Sequence, residues 1–442
     1  MICRIGVLIC LWLTSASFVS GADLRLADAM KRQNSVQVRA LLSDHVDVNA
    51  VQADGSTALH WAVHWNEIPM VDLLLAAGAH VNVANDYGAT PLYLACVNRS
   101  AMAVERLLKA GANANAALLS GETALMTCSR TGDAASIRLL LKHGADVNAA
   151  EHLHHQTALM WAAVEKHPEA VQALLEGGAD VRARSRIYAQ TVSSTLATNR
   201  ADLAFTVRRG GSTALLFAAR SGDSESARML IAAKADPNDK LPDGMSALVE
   251  AAYSGRSELA EFLLDNGADP NSAGSGFTAL HAAVLKSELD LVKALLKHGA
   301  NPNAQIAKGM PLRRASTDFN LPVTLVGATP YLLAAKFLEV DIMHALLDGG
   351  ADAALPMKDG TTPLMAAAGV GARNSQNRRG RTVIDGAKLE DEGIVIDAVK
   401  TASDRDKRVE AANSAGDTAL HGALSMGYAR VGELLRKLGA TK

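Results

Sequence analysis

The 442-residue chain has few of the features on which enzymes and nucleic-acid-binding proteins depend. Only 4% of its residues are aromatic, and its formal net charge of −2 gives no strong attraction to nucleic acid. It has no GxxxxGK[ST] phosphate loop, no HExxH zinc motif, no CxxC pair and no GxSxG nucleophile turn. The sequence therefore predicts a non-enzymatic protein without a cofactor, a metal site or a nucleic-acid partner.

Cysteine is also scarce. Cys3 and Cys10 lie near the start of the chain, which leaves Cys96 and Cys128 in its body. Both stand where equivalent segments have alanine. We therefore interpret them as small, buried core side chains that form no disulfide.

Long apolar runs are limited to the N-terminus. Arg4 precedes the apolar run Ile5–Leu13, and small residues follow up to Ala22. This order is typical of a signal peptide covering residues 1–22, and the run is shorter than the roughly 18–20 residues that span a bilayer. We expect export to the periplasm or outside the cell, with no membrane attachment after cleavage; the alternative is an uncleaved anchor.

What the chain does contain is a repeat. Ten motifs that resemble Thr-Ala-Leu-His or Thr-Pro-Leu-Met recur, and six of their nine spacings lie within one residue of 33. A second marker, Gly-Ala-Asp/Asn-x-Asn or a decayed form of it, follows most of them. The motifs begin at Thr57, Thr90, Thr123, Thr157, Thr213, Ser246, Thr278, Thr329, Thr362 and Thr418.

One repeat, 277–304, illustrates the predicted unit. Two short apolar segments are separated by a polar turn, and Leu291, Val292, Leu295 and Leu296 recur at helical spacing. Gly299 suits the left-handed residue that ends a helix. The pattern predicts helix, turn, helix and hairpin, and a pair this short needs neighbours of the same shape to bury its apolar face.

A 33-residue period with helix starts of the Thr-Pro-Leu-His type resembles the ankyrin-repeat family. The resemblance covers nearly everything after residue 22 and is closest to exported bacterial ankyrin-repeat proteins. It implies an all-α solenoid of about eleven helix-turn-helix-hairpin units in a curved, elongated array. We expect one domain, 23–442, whose terminal repeats 23–52 and 416–442 carry polar outer faces as caps.

Three histidines, His60, His281 and His421, occupy the fourth place of the motif. The resemblance implies that their imidazoles link neighbouring loops by hydrogen bonds. A cluster at His152, His154 and His155 is the densest in the chain, and a weak metal site there is the alternative to a solvated loop.

Three long spacings mark insertions at about 183–211, 305–328 and 371–388. Together they carry a formal charge of +10, in contrast to the −2 of the whole chain. We expect solvated loops, or basic surfaces that cover the acidic stack or bind an anionic ligand or partner. The candidate anion-binding residues are Arg208, Arg209, Arg313, Arg314, Arg378, Arg379 and Arg381.

Partner binding in the resembled family uses the hairpin tips and the concave face formed by the ends of the first helices. Tryptophan, tyrosine and arginine dominate the energetics of many interfaces. The residues of this face that we predict to contact a partner are Trp65, Arg130, Arg220, Tyr253 and Phe337.

The sequence thus favours an exported, monomeric scaffold that binds another protein. The alternative is an enzyme or anion-binding protein whose site is built by the basic insertions. Delivery into a host cell would use the same binding surface at another destination.

Overall fold

The computed structural model describes residues 23–193, 204–308, 323–371 and 391–441. The predicted signal peptide and parts of all three insertions lie outside these ranges. The chain divides into two compact units, unit 1 up to Asn113 and unit 2 from Ala114 onwards. Nearly all regular structure in the described ranges is helical, as the repeat predicts.

From residue 23, where the described part begins, unit 1 contains three helix pairs, which we number as repeats 1 to 3. Their helices are α1 (Arg25–Lys31), α2 (Ser35–Ser43), α3 (Ala58–His64), α4 (Ile68–Ala76), α5 (Pro91–Val97) and α6 (Ala101–Lys109).

Among its described residues, unit 2 contains eight helix pairs, repeats 4 to 11, and one β-hairpin after α10. Its elements are α7 (Ala124–Thr131), α8 (Ala134–Lys142), α9 (Ala158–Val164), α10 (Pro168–Glu176), β1 (Tyr188–Ser193), β2 (Ala204–Arg209), α11 (Ala214–Ser221), α12 (Ser224–Ala232), α13 (Ala247–Tyr253), α14 (Ser257–Asp265), α15 (Ala279–Lys286), α16 (Leu289–Lys297), α17 (Pro330–Lys336), α18 (Val340–Asp348), α19 (Pro363–Ala367), α20 (Glu392–Arg405), α21 (Ala419–Ser425) and α22 (Ala429–Lys437).

The repeated Thr or Ser begins each first helix from α3 onwards. At α15, the Thr278 side chain accepts a hydrogen bond from the His281 backbone N–H, and the His281 imidazole accepts one from the Thr278 N–H. This capping box satisfies donors that a helix start leaves free. Pro91 occupies the first position of α5, where no backbone N–H is required.

Burial follows the predicted helical face. Leu291, Val292 and Leu295 of α16 are fully buried, and Leu296 is half-buried. Alanines such as Ala282 and Ala283 on α15 have no exposed surface, because small side chains let neighbouring helices approach closely. The prediction of thin, mutually buried helix pairs is confirmed.

The final Asn of the second marker links consecutive repeats. Asn271 donates from Nδ2 to the Gly299 carbonyl oxygen (2.9 Å) and accepts at Oδ1 from the Asn301 backbone N–H (2.7 Å). The same pair of bonds recurs within unit 1 at Asn82 and within unit 2 at Asn115, Asn238 and Asn303. The marker therefore encodes a joint between repeats.

Two of the motif histidines form the predicted links. In unit 1, His60 Nε2 lies 3.1 Å from the Ala89 carbonyl oxygen, and in unit 2, His281 Nε2 lies 3.3 Å from that of Ala328. Burial lowers the pKa of both imidazoles, that of His281 to about 4. His421, in the last repeat, keeps the contact with Thr418 but is exposed.

The first insertion contains an antiparallel hairpin, β1–β2, that the all-helical prediction omits. Tyr188 pairs with Arg209, and Ala189 pairs with Arg208. At its base the Ser185 N–H donates to the Ser212 carbonyl oxygen (3.0 Å). Gly210 adopts φ +79°, and a Cβ at that position would overlap a backbone carbonyl, so glycine is required there.

The cysteine interpretation was wrong. Cys96 and Cys128 are buried in their first helices as expected, but both are disulfide-bonded. Alignment of the repeats shows that each cysteine occupies a position for a small side chain. A disulfide depends on the distance and direction between two side chains, and only the folded chain determines these.

No helix within the described ranges is long and apolar enough to cross a membrane.

Candidate functional site

The first helices of unit 2 carry a row of charged and aromatic side chains. We call this row the first-helix face and define it by Arg130, Trp161, Arg220, Glu250, Tyr253 and Lys286. These side chains belong to α7, α9, α11, α13 and α15. Three contacts between consecutive repeats connect them, and three of the five predicted partner-binding residues lie here.

Arg130 reaches from repeat 4 to repeat 5. Its guanidinium lies 3.2 Å from a Glu122 carboxylate oxygen and 5.4 Å from the centre of the Trp161 ring. Glu122 is only 15% exposed and also accepts from the Thr127 hydroxyl (2.8 Å). The guanidinium is thus held by a charge and by an aromatic face, while 43% of its side chain stays exposed.

Arg220 reaches from repeat 6 to repeat 7. Its Nε lies 2.7 Å from Glu250 Oε1, and the Glu250 side chain is 1% exposed while that of Arg220 is 39% exposed. Glu250 Oε2 has no hydrogen-bond partner among the described residues. A buried carboxylate therefore fixes an arginine whose outer surface is accessible to a partner.

Tyr253 is more deeply placed than a contact residue usually is. Its ring is 5% exposed, packs 6.0 Å from the Phe277 ring, and lies 5.6 Å from the Lys286 ammonium. Burial shows that it contributes to packing between repeats. Direct contact with a partner stays a prediction.

The other two predicted residues lie apart from this row. Phe337 is half-buried just after α17, beside Leu338, which takes a left-handed conformation with φ 59°. Trp65 belongs to unit 1, where it is 40% exposed and its ring lies 4.6 Å from that of His64.

Trp161, Glu250 and Lys286 were missed as candidates. The available signal was alignment: Trp161 and Glu250 stand four places after the motif Thr or Ser, as Trp61 does in unit 1. Trp61 Nε1 donates to Gln52 Oε1 (2.7 Å), whereas Trp161 Nε1 is buried with no partner among the described residues.

The predicted anion-binding arginines are only partly described. Arg208 is exposed on β2, and the Nε of Arg209 donates to Gln190 Oε1 (3.1 Å). Arg313, Arg314, Arg378, Arg379 and Arg381 lie outside the described residues.

Arg184, from the same insertion, has a structural role. It forms an ion pair with Asp239 and donates to the Gly211 carbonyl oxygen (2.8 Å). Asp239 also accepts from the Thr213 hydroxyl (2.6 Å) and is 7% exposed. This pair therefore fastens the base of the insertion to repeat 6.

Glu151 organises the loop that carries the histidine cluster. The buried Glu151 carboxylate accepts from the backbone N–H groups of Leu153 (2.6 Å), His154 (2.8 Å) and Gln156 (3.0 Å). Burial alone would raise the pKa of Glu151, but these bonds lower it overall. Within the described ranges, no group of three His, Cys, Asp or Glu residues is placed to hold a metal ion.

A cavity of about 550 Å³ in unit 1 is open to solvent and is lined by short hairpin residues that include His80, Asn82 and Val83. It contains no set of acid, base and nucleophile.

The comparison with protein-family models agrees with the repeat. A family model described as "Ankyrin repeats (3 copies)" matches residues 26–117, 103–185, 190–274 and 215–306, which together span more than half of the chain. The crystal structure of the human ASB11 ankyrin repeat domain is similar at 26% identity and a TM-score of 0.45, over 55% of this chain and 98% of that one. No curated protein matches. The chain belongs to the ankyrin-repeat family, whose repeats are generally protein-interaction modules.

Proposed function

We propose that this protein is an exported, non-enzymatic scaffold that binds a partner protein through the first-helix face and the hairpin tips. The observation that carries the proposal is the state of Arg130 and Arg220. Each is held in place by a largely buried carboxylate, yet each leaves about two-fifths of its side chain exposed.

This arrangement suits binding because the conformational entropy of the long side chains is already reduced before a partner arrives. Arginine and aromatic residues are also the usual hot spots of protein interfaces. Together they favour a partner with acidic and apolar groups opposite this row. We expect the scaffold itself to be monomeric.

Export is supported by two features of the chain. Residues 1–22 have the order of a signal peptide. Cys96 and Cys128 are disulfide-bonded, and disulfides persist chiefly in oxidising compartments such as the periplasm and the cell exterior. Cell fractionation of the full chain, with mass measurement of its N-terminus and thiols, tests destination and cleavage.

The binding proposal is tested by affinity capture with the chain from Asp23 onwards as bait. Arg130→Ala and the paired change Arg220→Gln with Glu250→Gln remove the exposed cations, and the paired change leaves no buried carboxylate without its arginine. We expect the captured partner to be lost or reduced about tenfold, because a hot-spot arginine contributes on the order of 1.4 kcal/mol or more.

Arg138→Ala is the matched control for that capture. Arg138 lies on the second helix α8 and is 50% exposed in an ion pair with Glu176, away from the first-helix face. Unchanged capture by the face variants, with Arg138→Ala also unchanged, contradicts the proposal.

A further inference from the structure

Three consecutive hairpin tips of unit 2 carry exposed apolar side chains. Leu119 is 76% exposed, Leu153 is 67% exposed, and at the start of the β-hairpin Ile187 and Tyr188 are 48% and 40% exposed. Each tip belongs to the next repeat along the stack. These residues, together with Arg186, are called the tip row below.

Backbone contacts hold the three tips side by side. The His152 N–H donates to the Ser120 carbonyl oxygen (2.9 Å), and the Arg186 N–H donates to that of His154 (2.6 Å). The His154 and Tyr188 rings are 5.6 Å apart. Exposed apolar groups on adjoining, mutually bonded loops form a patch that isolated surface leucines do not.

Glycine at the first tip permits this contact. Gly121 has φ +83°, and a Cβ there would lie 2.6 Å from the His152 imidazole. The tips can therefore pack directly against one another.

The charge of the tip row has one sign. Segments 117–122, 150–156, 184–193 and 204–211 contain two carboxylates, Glu122 and Glu151, and both are engaged inside the fold. Arg186 and Arg208 are exposed in the same segments. The surface thus presents apolar side chains among cations, with no exposed carboxylate in those segments, and it complements an acidic, apolar ligand.

The β-hairpin adds a backbone feature. Among the strands that the structure describes, β1 and β2 pair only with each other. Each strand therefore has one edge with no partner strand in the described ranges, and an extended peptide can pair with the N–H and C=O groups of such an edge.

From these observations we propose that the tip row binds an extended segment of a partner protein in which acidic and apolar residues alternate, and that the segment adds as a strand to the β-hairpin. This inference rests on the proposed function. It specifies a second surface and the chemistry of what occupies it.

The test is selection from a phage-displayed library of random dodecapeptides on the immobilised chain from Asp23 onwards. We expect enriched peptides to alternate Asp or Glu with apolar residues. Binding of a labelled enriched peptide, measured by fluorescence anisotropy, should weaken about tenfold in Arg186→Glu and in Leu153→Asp, because each removes a central contact. Replacing the peptide's acidic residues by lysine should abolish binding.

Two further comparisons separate the modes of binding. N-methylation of alternate peptide residues should also weaken binding about tenfold if backbone hydrogen bonds to the hairpin edge are made. Arg138→Glu on α8 should bind the peptide as the unchanged protein does. Circular dichroism checks that each variant is folded, and Leu119→Asp replaces any that is not.

Enrichment of peptides without acidic residues, or equal affinity for the tip variants, overturns the proposal. A further contrary result is that no peptide binds, while vesicles of phosphatidylcholine and phosphatidylglycerol bind and the tip variants weaken that binding. The surface would then contact a membrane. The selection uses no native partner, so its failure leaves the first-helix proposal standing. Failed native capture likewise leaves a positive peptide result intact.

Discussion

The joint between repeats 8 and 9 and the joint between repeats 5 and 6 both accommodate a long insertion, but different side chains hold them. In the first, Asn303 donates to the Gly350 carbonyl oxygen and accepts from the Asp352 N–H, and His281 contacts the Ala328 carbonyl oxygen. These are the regular links of the repeat, and the insertion leaves them unchanged.

In the joint between repeats 5 and 6, those links are absent from the sequence. Arg182 stands in the place of the bridging asparagine, and Met160 stands in the place of the histidine. The Arg184–Asp239 ion pair links the two repeats instead, and the Thr213 hydroxyl holds Asp239 in place within repeat 6. The comparison teaches that an insertion does not by itself remove the regular links, and that a charged pair can replace them.

The largest expected effect concerns His281 and pH. Its pKa is about 4 in the folded protein and about 6.5 when unfolded, so the unfolded chain binds more protons between these values. Stability should therefore fall as pH drops below about 6.5 and level off below about 4, by about 3 kcal/mol in total.

The measurement is urea unfolding of the unchanged chain and of His281→Leu at pH 7 and pH 4.5. Because other groups titrate as well, the quantity compared between the two pH values is the difference in unfolding free energy between the unchanged chain and His281→Leu. His421→Leu is the control, since that imidazole is exposed. A constant difference between wild type and His281→Leu would contradict the role of burial at this joint.

The next effect concerns the substitute link. Arg184→Met keeps most of the apolar stem but leaves the 7%-exposed Asp239 without its cation. We expect a loss of about 2 kcal/mol in unfolding free energy, because a buried carboxylate then lacks its counter-charge. Adding Asp239→Asn should recover part of this loss. An unchanged melting temperature in Arg184→Met would show that other contacts hold this joint.

A smaller change in unfolding free energy should distinguish the two joints at the position of the bridging asparagine. Asn303→Ala removes two hydrogen bonds across the joint between repeats 8 and 9 and should cost about 1 kcal/mol. Arg182→Ala, at the equivalent place before repeat 6, should stay within about 0.5 kcal/mol. Equal costs in chemical denaturation would mean that the asparagine link contributes nothing specific.

The smallest effect is a gain. Lys234 is exposed with φ 72° where other repeats have a glycine, such as Gly350 with φ 88°. Lys234→Gly should raise the free energy of unfolding slightly, by at most about 1 kcal/mol, because a left-handed conformation strains residues with a Cβ. Gly350→Lys is the reverse change and should destabilise; a loss of stability in Lys234→Gly would refute this account.

Much of the fold could be predicted because two independent features of the repeat, the helical spacing of apolar residues and the motif Thr, indicate the same helices. Helical spacing identified the buried face of α16, and the motif Thr located the start of the first helices from α3 onwards. The hairpin β1–β2 could not be identified in this way, because its sequence is not repeated elsewhere in the chain and so no alignment between repeats shows its pattern. The disulfide-bonded state of Cys96 also required distances that spacing does not supply.

The candidate site was predicted less completely. Alignment found Arg130 and Arg220 but gave no information on which carboxylate holds each one. Glu250 and Trp161 lie in other repeats from the arginines they contact, 30 or more residues along the chain. A pairing over that distance is set by how the helices stack, so it could not be obtained from local pattern.

The sequence by itself determined the unit: its length, its two helices, its capping residues and its membership of the ankyrin-repeat family. These follow from local rules, because each depends on residues within one turn or one repeat. Only the tertiary structure decided which side chains meet across the joints, how deeply each is buried, and which hairpin tips adjoin. Those properties depend on packing between segments that are distant in the chain, where burial and charge act together.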